Sequence, residues 1–134
     1  MKKSIYLVFT VMAIMLTSCF DGKDAKAEVR LISAEEMQDI LELEGVQLVD
    51  VRSPQEYEED HIANSQNIDF RSPTFEDDIK KLDKTKPVIL YCKSGKRSAK
   101  CVEKLKKAGF EKIYELEGGI SKWRHSDNIE QEKS

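Results

Sequence analysis

The chain of 134 residues is poor in several residue types that define whole classes of protein. With 3 cysteines, 3 prolines and 6 glycines, it can be neither a disulfide-knotted domain nor a collagen-like chain. The absence of a sustained heptad excludes a coiled coil. The apolar run over residues 5–16 is shorter than the roughly 20 residues that a membrane-spanning helix needs. A net charge of −3 gives no reason to expect a nucleic-acid partner.

The remaining composition is that of a globular chain with one domain. Hydrophobic residues make up 40% of the sequence and charged residues 35%, a balance that disordered chains lack. The length corresponds to one domain. We expect a monomer.

The first residues predict an exported protein. Lys2 and Lys3 precede the apolar run, and a small-residue processing site follows it, as in a secretory signal peptide. Residues 16–19 (LTSC) resemble the lipobox of bacterial lipoproteins, in which the cysteine becomes the first residue and carries diacylglycerol. We therefore predict a signal peptide over residues 1–18, a lipidated Cys19 with a tether over residues 19–27, and a location at the extracytoplasmic (periplasmic) face of a bacterial membrane. An ordinary signal peptide with an incidental cysteine, or a retained anchor, is the alternative.

Residues 28–126 are predicted to form one α/β domain, followed by a frayed polar tail over residues 127–134. Strands are predicted at residues 29–32, 46–51, 68–70, 87–91 and 112–116. Two of the intervening helices begin at capping signatures, one at Ser33 and one at Ser53. Three further helices are predicted over residues 74–82, 97–107 and 120–123. This alternation predicts a mainly parallel central sheet with helices on both faces, whose ligands bind at the carboxyl ends of the strands.

The segment from Cys92 to Arg97 has the composition of an anion-binding loop. Cys92 follows a buried strand and precedes a helix, so unpaired backbone N–H groups, the helix dipole and three cations would favour a thiolate. Gly95 allows successive N–H groups to point inward. The sequence therefore indicates Cys92 as a nucleophile, with Lys93, Ser94, Gly95, Lys96 and Arg97 around its substrate.

Three motifs in this order resemble the rhodanese-like family. The first is the loop with Cys92, Gly95 and Arg97. The second lies upstream and consists of residues 48–52 (LVDVR) with Glu56, Tyr57, His61 and Ile62. The third lies downstream and consists of residues 118–120 (GGI) with Trp123. The family usually has Gly before the histidine and Gly-Ala after the isoleucine. Here Asp60 and residues 63–65 (ANS) take those places.

The resemblance implies a sulfurtransferase. Cys92 would take sulfane sulfur from a small anionic donor such as thiosulfate, hold it as a persulfide and pass it to a thiol or another thiophilic acceptor, with no cofactor. Four residues separate Cys92 from Arg97, one fewer than in the related cysteine phosphatases, and this tighter loop favours sulfur over a phosphoryl group. A phosphatase or arsenate reductase is the alternative enzyme, and a non-catalytic protein-binding module is the alternative class.

Other polar residues have two interpretations each. Asp50 and Arg52 either form a structural ion pair or tune the site directly, and His61 is either structural or part of a Cys/His dyad. Trp123 either packs in the core or covers the cleft, and Cys101 is either core or a resolving thiol. The sequence contains no metal-binding cluster.

Charge is unevenly distributed along the chain. Residues 93–107 contain seven basic residues and one acid, whereas residues 28–60 contain eleven acids and two arginines. This asymmetry could steer anions to the active-site side, or it could be an ordinary solvated surface. The same alternatives apply to Lys93 and Lys96, which either select the donor or are simply solvated.

Overall fold

The computed structural model describes residues 26–124 and 131–132. Its central sheet has five parallel strands in the order β1-β6-β5-β2-β4. These strands are β1 (Glu28–Ile32), β2 (Gln47–Asp50), β4 (Gln66–Asn67), β5 (Val88–Tyr91) and β6 (Lys112–Leu116). A separate antiparallel pair joins β3 (His61–Ile62) to β7 (Gln131–Glu132).

Five α-helices connect the strands. They are α1 (Ala34–Leu41), α2 (Pro54–Glu59), α3 (Phe75–Asp78), α4 (Lys96–Ala108) and α5 (Gly119–Trp123). The capping boxes predicted at Ser33 and Ser53 are both confirmed, since each serine hydroxyl accepts the backbone N–H of a glutamate three residues later. None of the helices among the described residues is long and apolar enough to cross a membrane.

The sheet has a hydrophobic core on each face, so the predicted α/β architecture is confirmed. Successive residues of β5 alternate between the two cores: Val88 and Leu90 pack with α3 and α4, and Ile89 and Tyr91 pack with α1 and α5. Because all five strands are parallel, the ends of β2 and β5 lie at the same edge. The backbone N–H of Val51 donates to the carbonyl of Tyr91 there, at 3.0 Å.

Two predicted elements were wrong in detail. The strand expected at residues 68–70 lies at Gln66–Asn67, where the Asn67 amide donates to the carbonyls of Asp50 and Arg52 at 3.0 and 2.9 Å. The residues of this strand are polar and lack the apolar pattern of a buried strand, so the sequence pattern did not predict it. The helix expected over residues 74–82 is α3 followed by a 3₁₀ turn at Ile79–Lys81.

The predicted frayed tail also needs correction, because its residues Gln131–Glu132 pair with β3. Backbone pairing needs no apolar side chains, so the polar composition gave no sign of it. The predicted signal peptide, Cys19 and the tether up to residue 25 lie outside the described residues.

Candidate active site

Cys92 lies at the carboxyl edge of the sheet, at the junction of β5 and α4, and its residue surface is 1% exposed. Gly95 is the residue before α4 and has a φ of 99°, in the left-handed region that glycine adopts without strain. This conformation turns the loop back, so that the N–H of Gly95 donates to Sγ of Cys92 at 3.0 Å. The loop therefore holds the sulfur against the start of a helix.

Hydrogen bonds make the Cys92 thiol unusually acidic. Burial by itself raises its pKa. Donors outweigh this effect and lower the pKa below its usual value: the N–H and hydroxyl of Ser98, and the N–H groups of Gly95 and Ser94. The Ser98 hydroxyl is buried and lies 3.7 Å from Sγ. These donors, rather than the three cations emphasised from the sequence, make the largest lowering contributions.

Ser98 was not among the residues predicted for the site. Its spacing from Gly95 could have indicated it, because a residue three positions after Gly95 lies one helical turn later, on the side of the helix that faces the loop. Its hydroxyl donates to the carbonyl of Gly95 at 3.1 Å. When Cys92 is a thiolate, the hydroxyl proton can turn toward the sulfur.

A second glycine segment supports the loop from behind. The N–H of Ile120 donates to the carbonyl of Cys92 at 2.9 Å, and the N–H of Ser121 donates to that of Lys93 at 3.1 Å. Gly119 has a φ of 59°, and a Cβ atom on it would lie 2.4 Å from the Cys92 oxygen. Only glycine allows α5 to approach the loop this closely, which explains the second glycine of the downstream motif.

Arg97 is held by Glu56 across the site. Its two terminal nitrogens donate to the two carboxylate oxygens at 2.6 and 2.8 Å. The bond from Arg97 is the main cause that lowers the pKa of Glu56 to about 2. Glu56 also completes the capping box of α2, so one carboxylate joins the start of α2 to the first turn of α4. The sequence matched Glu56 to a motif but assigned it no role at the site.

Asp50 and Arg52 form a buried ion pair beside the loop, with exposures of 0% and 2%. The guanidinium donates to Asp50 at 2.7 and 3.0 Å and to the carbonyl of Asp60 at 2.6 Å. Arg52 also lies over the Tyr91 ring, 5.9 Å from its centre. The contacts of the pair fix the end of β2 and connect it to the end of α2, which is a positioning arrangement.

His61 and Trp123 are both buried. The His61 ring stacks on Tyr57 at 3.9 Å, and its Nδ1 lies 2.8 Å from the Tyr57 carbonyl. Trp123 packs in the core cluster that includes Tyr91 and Ile120. The stacking on Tyr57 and the contact with its carbonyl hold the ring in place, which favours the structural interpretation of the histidine.

Lys93, Ser94 and Lys96 are the exposed residues of the loop. Their positions in the sequence, next to the buried Cys92, place them at the rim of the loop. Among residues 26–124 and 131–132, no group of three or more histidine, cysteine or acidic side chains could hold a metal ion.

Comparisons with known proteins agree with this geometry. Residues 33–126 match the rhodanese-like domain. The chain belongs to the rhodanese-like family. A thiosulfate sulfurtransferase, GlpE, of Pseudomonas syringae is 36% identical over 97 residues, which cover 72% of this chain and 89% of that protein. An uncharacterized protein of Bacillus subtilis, YqhL, is 40% identical over 77 residues, but the match covers 58% of this chain and 60% of that protein.

Solved structures support the same assignment. The crystal structure of a rhodanese-related protein from Thermoplasma volcanium superposes with a TM-score of 0.68 at 30% identity, covering 78% of this chain and 99% of that one. The Cys92 loop, the buried ion pair of β2 and the paired glycines of α5 therefore lie in a rhodanese-like fold.

The structure explains how this rhodanese-like chain accommodates its departures from the usual motif. Asn64 stands in the segment where the family has glycine, and its φ of 64° is in the left-handed region that asparagine tolerates better than most residues. Asp60 has a φ of −166°, which is extended backbone open to any residue. Its carboxylate makes ion pairs with Arg52 and Arg124, so this departure ties the end of α2 to the end of α5.

Proposed function

We propose that this protein is a sulfurtransferase that moves sulfane sulfur from thiosulfate, or a similar small anion, to a thiophilic acceptor through a persulfide on Cys92. The observation that carries the proposal is the hydrogen bond from the N–H of Gly95 to Sγ, within a loop that lowers the pKa of Cys92. Membership of the rhodanese-like family and similarity to thiosulfate sulfurtransferases support it.

In the first step, the Cys92 thiolate attacks the outer sulfur of thiosulfate. A new S–S bond forms, the S–S bond of thiosulfate breaks, and sulfite leaves with the electron pair. The product is a persulfide anion. The N–H groups that stabilise the thiolate would also stabilise this anion, because they lie at the start of α4, where negative charge is favoured.

In the second step, an acceptor such as a thiolate attacks the outer persulfide sulfur. The bond to Sγ breaks, the electron pair returns to Cys92, and the acceptor leaves as a persulfide. No net oxidation or reduction of the protein occurs, and no proton has to be removed by a base when Cys92 is already ionised. Lys93 and Lys96 would attract the donor anion at the rim of the loop, while Arg97 holds the first turn of α4 through Glu56.

The test is the intact mass of the full-length chain after incubation with thiosulfate, beside Cys92→Ser. We expect a gain of one sulfur atom that disappears on adding cyanide and is absent from the variant. No gain with thiosulfate, mercaptopyruvate or a polysulfide would contradict the proposal. Hydrolysis of phosphate esters or reduction of arsenate would then indicate an oxyanion enzyme, and partner binding that survives Cys92→Ser would indicate a docking module.

We further propose export and lipid anchoring at Cys19, on the basis of the sequence of residues 1–19. Cells expressing the chain with a labelled fatty acid should incorporate label into the native protein and not into Cys19→Ser. Label in both proteins, or in neither, would contradict the proposal. Light scattering of the detergent-solubilised protein tests the accompanying expectation of a monomer.

A further inference from the structure

The exposed surface of α4 carries a row of lysines that begins at the active-site loop. Lys93 and Lys96 border the loop, and Lys100 and Lys107 continue the row along the helix. Steps of four and seven residues keep Lys96, Lys100 and Lys107 on one side of a helix with 3.6 residues per turn. We call Lys93, Lys96, Lys100 and Lys107 the lysine row.

The lysine row has no partner in the described part of the chain, unlike the neighbouring lysines of the same helix. Lys104 is paired with Glu76 at 3.0 Å, and Lys106 is paired with Glu103 at 3.1 Å. Glu103 is the one acid that projects among the row, and Lys106 offsets its charge. By contrast, no salt bridge joins any member of the row to a carboxylate of residues 26–124. Four exposed cations therefore take part in no ion pair within residues 26–124.

The row is too long to serve a small donor alone. At about 1.5 Å per residue, Lys96 and Lys107 are about 16 Å apart along the helix axis. A thiosulfate ion at Cys92 can contact Lys93 and Lys96, but it cannot reach Lys100 or Lys107. A ligand that contacts the whole row must have the dimensions of a peptide or a protein surface.

The opposite side of the site has the opposite charge. Arg97 joins the start of α4 to α2 through Glu56, so α2 borders the same opening. Glu58 and Glu59 of α2 are exposed. A partner with acids over α4 would therefore have only one favourable orientation, because turning it round would place its acids against these glutamates.

We propose that the lysine row docks an acidic protein that bears the acceptor thiol; this inference rests on the sulfur transfer proposed above. The outer sulfur of a Cys92 persulfide would lie at the loop, where Lys93, Ser94 and Lys96 are exposed. An acceptor cysteine flanked by acidic residues would reach that sulfur while its carboxylates contact Lys100 and Lys107. A protein fits better than a membrane surface, because lipid headgroups present no thiol to receive the sulfur.

The test uses two synthetic peptides with one cysteine each, one flanked by aspartates and glutamates and the other by serines and glutamines. The full-length chain is loaded with sulfur, and the rate constant of transfer to each peptide is measured at low and high salt. We expect transfer to the acidic peptide to be faster by about tenfold at low salt, with the advantage lost at high salt.

Charge reversal locates the effect. The double variant Lys100→Glu with Lys107→Glu should remove the preference for the acidic peptide. Loading from thiosulfate and transfer to 2-mercaptoethanol, measured at about 0.1 M salt, should change by less than about threefold, because at that ionic strength charges more than about 10 Å apart are largely screened. The matched control is Lys86→Glu with Lys112→Glu, which makes the same charge change at exposed positions outside α4. Equal rates for the two peptides with the native chain, or equal losses in both double variants, would overturn the proposal.

Direct binding separates this inference from the sulfurtransferase proposal. A fluorescent acidic peptide with serine in place of cysteine should bind the native chain and not Lys100→Glu with Lys107→Glu, even if thiosulfate loads no sulfur. Binding of equal strength to both double variants would overturn the docking surface. Tighter Lys100-dependent binding to anionic phospholipid vesicles or single-stranded RNA than to the peptide would also overturn it, by assigning the row to another class of partner.

Discussion

The two described cysteines have the same burial and opposite chemistry. Cys92 and Cys101 are 1% and 0% exposed and belong to the same core cluster. Burial raises the pKa of Cys101 to about 12. The pKa of Cys92 is lowered, because hydrogen-bond donors of its loop and of Ser98 outweigh the same burial effect. Reactivity of a buried thiol therefore depends on whether backbone N–H groups point at it, and in α4 they do so only at the first turn.

The largest expected difference comes from removing each thiol in turn. Cys92→Ser should abolish sulfur loading, and it should abolish alkylation by iodoacetamide at neutral pH in the peptides that contain residues 26–124. Cys101→Ala should leave both rates within about twofold and cost about 1–2 kcal/mol of the free energy of unfolding, because it leaves only a small cavity. Intact mass and urea unfolding measure these effects. Loading of Cys101 in the Cys92 variant would contradict the comparison.

Gly119→Ala should damage the Cys92 loop without touching the cysteine. The new Cβ would lie 2.4 Å from the Cys92 carbonyl oxygen, so the loop or α5 must move. We expect sulfur loading to fall by at least about tenfold, as catalytic groups tolerate little displacement.

The matched control is Gly109→Ala, where φ is also positive, at 93°, but the nearest atom to a new Cβ is 3.9 Å away. This variant should lose stability from backbone strain and keep its loading rate. Equal loading rates in the two variants would show that the close approach of α5 does not support the site.

Ser98→Ala should make Cys92 more like an ordinary thiol. The variant loses the hydroxyl 3.7 Å from Sγ and keeps the backbone N–H groups, so we expect the pKa of Cys92 to rise. The pH profile of alkylation should shift to higher pH by the same amount. Ser94→Ala is the control, because Ser94 donates through its backbone and should leave the profile unchanged. A profile unaltered by Ser98→Ala would refute the role of the hydroxyl.

The smallest expected effect concerns Glu56. Because its pKa in the folded protein is about 2, below the value of about 4.3 for an unperturbed glutamate, its ionisation stabilises the fold fully above about pH 4.3. That contribution is lost as the pH falls toward 2. Glu56→Gln should therefore lower the free energy of unfolding at pH 7 by about 1 kcal/mol, and the difference from the native protein should shrink in acid.

Glu36→Gln is the matched control, since Glu36 occupies the same place in the capping box of α1. Its ion pair with Arg30 is about half exposed, so the substitution should cost less than Glu56→Gln. Equal losses of stability at pH 7 would mean that the bond to Arg97 adds nothing to the helix cap.

Local patterns were enough to predict the alternating elements and the nucleophile. Capping boxes, a β-branched run before Asp50, and an apolar strand running into Cys92 and Gly95 all depend on neighbours in the sequence, and physical preferences at that range are readable directly. The sequence also predicted that Asp50 and Cys92 lie at the same edge of the sheet, because parallel strands place their carboxyl ends together.

Contacts between distant segments were decided only by the tertiary structure. Glu56 and Arg97 form an ion pair although they are 41 residues apart in the sequence. Gly119, at the start of α5, lies against the carbonyl of Cys92, and β7 pairs with β3 through the backbone. Nothing in the local sequence encodes these distances, since each depends on how the helices pack on the sheet. The sequence alone therefore predicted which residue would react, and packing determined which donors lower the pKa of that thiol.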